Sequence, residues 1–328
     1  MSITAIGEFG LISRITARLA AQAGGTAVTP RGEPLVLLGP GDDAALLAAP
    51  DGRVVVTTDV LVDGRHFRRD WAGAADIGRR AVAANLADVA AMGARPTALV
   101  VALCVPTDTE LAWVEDLARG MAAEAATVGA GVVGGDISVS PTLTIAVTAL
   151  GDLEGRAPVT RGGARAGDLV AVAGRLGYAA AGLTILTRGF RSPRLLVDAY
   201  RRPRVPYAAG PAAADLGATA MIDVSDGLLA DVGHVAAASG VAIDLRRDAL
   251  TVPDQMRDAA EALGVDPYEW VLTGGDDHAL VATFPPGTAL PDDWRVIGQA
   301  REGSGVTVDG RVHPGPAGWD HLRAPRGT

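Results

Sequence analysis

The chain has 328 residues, 48% hydrophobic and 20% charged, so it can bury a sizeable core, is not wholly disordered, and suits about two domains of ordinary size. Its net charge of −9 argues against a general affinity for nucleic acid. The single cysteine, Cys104, excludes an internal disulfide and a cysteine zinc site. All 29 basic residues are arginine, which removes a Walker-type lysine, a Schiff base and a lysine general base. The first residues lack a basic stretch followed by a long apolar one, and no apolar run approaches the roughly 20 residues of a membrane span. A cytoplasmic protein with no membrane partner is the expectation.

In chain order, apolar periodicity predicts a helix over 7–21, strands over 35–38 and 54–58, a helix over 76–92 and a strand over 98–105. A helix over 109–128 and a strand over 143–150 close the first half. A turn-rich stretch over 151–167 separates it from a second half, giving domains 1–150 and 151–328. There the pattern predicts a strand over 169–173, a helix over 178–188 and an exposed connection with two short helical pieces over 188–211. Helices over 225–239 and 255–263 and strands over 241–245 and 279–283 follow. The class is α/β or α+β with mixed sheets.

Aspartates recur beside glycines or at the ends of apolar runs. They are Asp42 and Asp43 in GPGDDAA, Asp59 after Thr57-Thr58, Asp88 in NLADVAAMG and Asp136 after GVVGG. Asp223 and Asp226 bracket IDVSDG, and Asp276 and Asp277 follow TGG. Carboxylates in apolar company are costly unless paired or bound to metal, and all-oxygen ligands select Mg²⁺ over zinc. Any one such Asp can instead be a turn or helix cap. Six placements in one chain favour a multi-metal, phosphate-handling cleft. Ser225 and Asp226 stand where a helix should begin, so free backbone N–H groups there could face an anion, though Ser-Asp-Gly is also an ordinary N-cap. Asn85 and Asp88 share a helix face, either as a functional ligand site or as the solvent edge of the stripe. His66 closes the Asp59 loop; His278, His313 and His321 read as isolated, and His234 as a surface or core residue. There is no Gly-x-Ser-x-Gly elbow and no dinucleotide fingerprint.

The ordered series GEFGLI, GPGDDAAL, TTDVLVDGRHF, NLADVAAMGA, GGDIS, TRGGARAGDLV, IDVSDGL and TGGDDHAL, running from Gly7 to Trp319, resembles the thiamine-monophosphate kinases of the aminoimidazole ribonucleotide synthetase-like (PurM-like) superfamily. The resemblance implies a two-domain PurM-like fold and a homodimer whose N-terminal strands form a barrel across the two-fold. It implies ATP-dependent phosphorylation of thiamine monophosphate to thiamine diphosphate by direct in-line transfer with several Mg²⁺ ions. Carried over by motif, Asp43, Thr57, Thr58, Asp59, Asp88, Asp136, Asp223 and Asp226 would hold magnesium, and Asp59, Asp88, Asp136 and Asp226 would serve the transfer directly. Gly135, Asp136, Arg161 and Ser225 would contact ATP; His66, Asp276 and Trp319 would meet thiamine monophosphate. The chain has Gly-Gly-Asp-Asp where the family commonly has Gly-Gly-Glu-Asp, a shorter side chain at Asp276. Sibling activities fit less well: a selenophosphate synthetase needs a reactive Cys or selenocysteine with a lysine, and a hydrogenase-maturation dehydratase ends in a cysteine. An aminoimidazole ribonucleotide synthetase lacks support in the late motifs. A non-catalytic nucleotide-binding protein would have lost ligands that are all present.

Overall fold

The computed structural model describes residues 7–22, 28–29, 31–39 and 44–319. The chain divides into two compact units, 1–158 and 159–328.

In the first unit, helix α1 (Gly7–Gln22) precedes two short paired strands, β1 (Val36–Leu38) and β2 (Leu46–Leu47). The main sheet is built from β3 (Val55–Val62), β4 (Arg95–Val105), β5 (Gly131–Val139) and β6 (Thr144–Asp152), in the order β3-β6-β4-β5. Only β4 and β5 run parallel. Two helices connect these strands, α2 (Ala74–Ala91) and α3 (Leu111–Ala125). Alternation along each strand sends one set of side chains to each face. Ile145, Val147 and Ala149 of β6, with Leu99 and Leu103 of β4, are buried, as are Ile77, Leu86 and Val89 of α2. The other set stays open: Val56 is 61% exposed, Val60 49% and Val100 38%. Helices α2 and α3 cross where both carry glycine. A Cβ on Gly78 would stand 2.2 Å from the Leu117 carbonyl oxygen, and one on Gly120 would stand 2.1 Å from that of Ala75, so only glycine lets the two backbones meet.

The second unit holds a six-stranded sheet of β7 (Leu169–Ala173), β8 (Ala220–Asp223), β9 (Ala242–Leu245), β10 (Leu280–Phe284), β11 (Trp294–Arg301) and β12 (Gly305–Val308), ordered β12-β9-β11-β7-β10-β8. All neighbours are antiparallel except β12 and β9. Every residue of β10 is buried, and Phe284 meets Trp294 edge-on with centroids 5.3 Å apart. Its helices are α4 (Tyr178–Thr187), α5 (Arg194–Arg201), α6 (Ala209–Asp215), α7 (Leu228–Ser239), α8 (Asp254–Leu263) and α9 (Pro267–Thr273). The pieces expected in the 188–211 connection are α5 and the start of α6. The first strand of this unit begins and ends where its apolar run does, whereas β5 went unread because three of its nine residues are glycine, a poor strand former.

Candidate active site

In the first unit, β3 offers alternate residues to opposite faces. Thr57 and Asp59 face α2: the Thr57 hydroxyl donates to Asp88 Oδ2 at 2.7 Å, and the Asp59 amide donates to Asn85 Oδ1 at 3.0 Å. Asn85 is fully buried and donates in turn to the Ala81 carbonyl at 3.0 Å. The Asn85–Asp88 face of α2 is therefore not the solvent edge of the stripe; it addresses the strand that carries Thr57 and Asp59. Thr58 points the other way, donating to the Val147 carbonyl at 3.0 Å and accepting from the Thr148 hydroxyl at 3.1 Å. Its side chain does not join Thr57 and Asp59. His66 folds back on β3, its Nδ1 accepting from the Val62 amide at 2.9 Å, which puts the proton of the neutral ring on Nε2.

Gly135 and Asp136 sit on β5, in register with Val101 and Ala102 of β4. Gly135 is required by close approach, since a Cβ there would lie 2.1 Å from the Val101 carbonyl oxygen. Two strands, β6 and β4, separate β5 from β3. Three strand spacings amount to about 14 Å, so the protomer does not bring Asp136 to Asp59. Asp42 and Asp43 lie outside the described residues.

In the second unit, three segments meet at the end of β8. The Ser225 carbonyl accepts from the Asp276 amide at 2.9 Å, that of Val224 from His278 at 3.0 Å, and that of Asp226 from Trp319 at 2.9 Å. Gly275 and Gly318 are pressed so closely that a Cβ would fall 2.0 Å from the Ser225 oxygen and 2.5 Å from that of Asp226. Asp223, Ser225, Asp226, Asp276 and Trp319 are thus gathered. Asp276 and His278 both adopt positive φ, 65° and 51°, a strained conformation that concentrates at functional sites.

Arg161 lies elsewhere in this unit. Its carbonyl accepts from the Ser239 hydroxyl at 3.0 Å, which fixes it at the C-terminal end of α7. Ser225 precedes the N-terminal end, and a helix of this length measures about 18 Å, so the Arg161 backbone and Ser225 stand at opposite ends of α7.

One expectation needs correction. The helix begins at Leu228 rather than Ser225, and the amides of Ser225, Asp226 and Gly227 are not free for an anion. All three donate to Asp231 Oδ2, at 3.0, 3.1 and 3.0 Å. Nor is His278 isolated: its Nδ1 stands 3.0 Å from Asp223 Oδ2, and both side chains are buried. Asp231 and His278 carry signals that spacing alone does not convey. His278 directly follows the Gly-Gly-Asp-Asp run, and Asp231 is the first acid inside α7.

Burial drives the electrostatics here. Asp231 is pushed up to about 7 chiefly by burial and secondarily by the Asp223 charge, against the pull of the Gly227 and Asp226 amides. Asp277 is likewise pushed up to about 7 by burial, although the Ala179 amide donates to it at the start of α4 and the nearby Gly177 amide also favours its ionised form.

Among the described residues no group of three or more His, Cys, Asp or Glu side chains converges to hold a metal ion alone. The donor set still suits magnesium. It is all oxygen, and it offers one or two carboxylates per place, which is how Mg²⁺ is bound when waters and substrate phosphates complete its shell.

The AIR synthase related protein family models match this chain, the N-terminal domain over residues 41–153 and the C-terminal domain over 165–310. The thiamine-monophosphate kinase of Mycobacterium tuberculosis is 49% identical over 323 residues, spanning 98% of this chain and 93% of that protein. The chain belongs to the thiamine-monophosphate kinase family. The Aquifex aeolicus thiamine-monophosphate kinase is 35% identical over 98% of this chain and all of its own length. Among solved structures, AaThiL complexed with AMPPCP and TMP superposes with a TM-score of 0.79 at 34% identity, covering 98% of this chain and 99% of that one. The fold is the mixed α/β PurM-like fold of those kinases.

Proposed function

We propose that the protein transfers the γ-phosphoryl group of ATP to thiamine monophosphate, giving thiamine diphosphate and ADP. The observation that carries this is the 49% identity to a thiamine-monophosphate kinase across 98% of the chain. The chemistry of the gathered residues agrees with it. A phosphate oxygen of thiamine monophosphate attacks the γ-phosphorus, the bond to the β–γ bridging oxygen breaks in line, and ADP leaves. Such transfer needs positioning and charge neutralisation more than a protein nucleophile. Bound magnesium would supply Lewis acidity and neutralise phosphate charge.

The chain's own residues then have these tasks. Asp59 and Asp88, tied to one another through Thr57 and Asn85, would hold hard cations in the first unit, with Asp43 and oxygen atoms of Thr57 and Thr58 completing the set. Asp223 and Asp226 would do the same in the second. Gly135, Asp136, Ser225 and Arg161 meet ATP, the bare glycine allowing close approach and the guanidinium pairing with phosphate oxygens. His66, Asp276 and Trp319 meet thiamine monophosphate; the half-exposed Trp319 offers an aromatic face to a cationic thiazolium. The halves 1–150 and 151–328 serve as the ATP- and magnesium-binding domain and its PurM-like partner.

We further read the protein as a cytoplasmic homodimer. Support for the dimer comes from the open face of the first sheet, where Val56, Val60 and Val100 stand exposed on neighbouring rows. Among the described residues no helix is long and apolar enough to cross a membrane. The activity is tested by incubating the purified protein with ATP, Mg²⁺ and thiamine monophosphate and resolving the products by chromatography. Equimolar ADP and thiamine diphosphate are expected, and none of either with a chelator; ADP without thiamine diphosphate would refute the acceptor.

A further inference from the structure

The loop that carries Asp223, Ser225 and Asp226 is held from both sides. Three successive amides, those of Ser225, Asp226 and Gly227, converge on the single oxygen Asp231 Oδ2 at 3.0 to 3.1 Å. Successive N–H groups turned to one point form an anion-binding nest. Here the nest is already filled by an internal carboxylate, only 3% exposed. On the opposite side the carbonyls of Val224, Ser225 and Asp226 are each taken by amides of His278, Asp276 and Trp319. Every peptide plane of the loop is therefore fixed, N–H inward and C=O outward. Ser225 alone in it is exposed, with Asp226 partly so.

We infer that Asp231 is the positioning residue of this active site. By filling the nest it keeps the loop from capturing phosphate through its amides and sets the direction in which Asp223 and Asp226 present their carboxylates. The inference rests on the reading of those two aspartates as magnesium ligands. Without Asp231 three successive amides would lose their acceptor, and a donor left unpaired away from water is costly. The loop would then turn its peptides to find other acceptors, and the ligands would turn with it.

The test compares Asp231→Ala and Asp231→Asn in the full-length protein. Mn²⁺ binding is measured by electron paramagnetic resonance in the presence of AMPPCP, beside steady-state kinetics. Asp231→Ala is expected to weaken Mn²⁺ binding by about tenfold or more, as losses of residues that orient metal ligands do. It should lower kcat by a similar factor, while KM for thiamine monophosphate stays within about threefold. Asp231→Asn, whose amide oxygen can accept the same three hydrogen bonds, is expected to recover most of both. A folded Asp231→Ala protein with parental Mn²⁺ affinity overturns the inference, as does a folded Asp231→Asn protein as defective as the alanine variant. If Asp231→Ala does not fold, hydrogen exchange on the parent decides: the amides of Ser225, Asp226 and Gly227 are expected to exchange slowly with or without Mg²⁺ and AMPPCP, and rapid exchange overturns the inference. The Mn²⁺ and exchange measurements need no turnover. A parent that forms no thiamine diphosphate therefore counts against the kinase reading, while the role of Asp231 is decided by its own readouts.

Discussion

A carboxylate in this protein takes its role from its surroundings. Asp88 is half-buried and accepts from the Thr57 hydroxyl, so it can still turn toward a cation. Asp277 is buried, with Oδ1 held by the Ala179 amide and Oδ2 unpaired. Asp88→Ala is expected to lower kcat by about 100-fold or more, about 2.7 kcal/mol in the barrier, with folding retained by circular dichroism. Asp277 should instead show in stability. Its folded pKa is raised to about 7 by burial, opposed by the Ala179 and Gly177 amides and flanked by the Asp276 and His278 charges. From about pH 4 to about pH 7 the folded state thus binds more protons than the unfolded chain, and stability falls as pH rises. The loss is complete above about pH 7 and amounts to at most about 4 kcal/mol. Asp231, raised in the same way, adds to the same slope. Urea midpoints measured at roughly pH 5 and pH 8 should fall for the parent and fall less for Asp277→Asn; equal slopes would contradict this assignment. The sequence marks Asp88, set in an apolar run, and Asp277, just after Gly274-Gly275-Asp276, as unusual. It could not tell a ligand from a buried cap, since that depends on which amides fold toward each carboxylate.

At the scale of elements, close approach decides where glycine stands. The crossing of α2 and α3 relies on Gly78 and Gly120, each facing a carbonyl that a methyl group would strike. Gly78→Ala is expected to lower stability by about 2–3 kcal/mol, the upper range for overpacking, because the obstacle is backbone and cannot rotate away. A thermal melt checks this, and an unchanged midpoint would mean that the helices can separate freely. Elements with long, regular apolar periods were legible: α2 was expected over 76–92 and spans Ala74–Ala91. The start of α7 was misplaced by three residues because Ser-Asp-Gly looks like a cap. The amides of Ser225, Asp226 and Gly227 instead turn to Asp231 inside the helix, a contact that requires the loop to curl back. The motif that carries Arg161 does not convey that its backbone is anchored by Ser239 at the C-terminal end of α7.

At the scale of the whole molecule, the open face of the first sheet carries an apolar patch that no other described residue buries. Val56, Val60 and Val100 line the open face of the first sheet, and a dimer built on that face should run in light scattering near twice the 33.3 kDa chain mass. Val100→Glu is expected to shift the protein toward the monomer and to lower thiamine diphosphate formation; a parent that is monomeric at micromolar concentration would contradict the dimer. The strands β3 and β4 are legible as apolar runs, but which face meets α2 is not, because valine occupies both. The aspartate placements convey a phosphate-handling, metal-binding cleft, and the resemblance of the ordered motifs to a known family conveys the kinase. The arrangement of the aspartates was not legible, since strand order puts Asp136 and Asp59 at opposite edges of one sheet.

The most direct test of the central claim follows the phosphate. With ATP labelled in the γ-position, Mg²⁺ and thiamine monophosphate, the parent should place the label on the terminal phosphate of thiamine diphosphate in step with ADP, leave the protein unlabelled, and lose this activity in Asp88→Ala. Label released as inorganic phosphate, retained on the protein, or transferred equally well by Asp88→Ala would contradict direct transfer at the site built on Asp59 and Asp88.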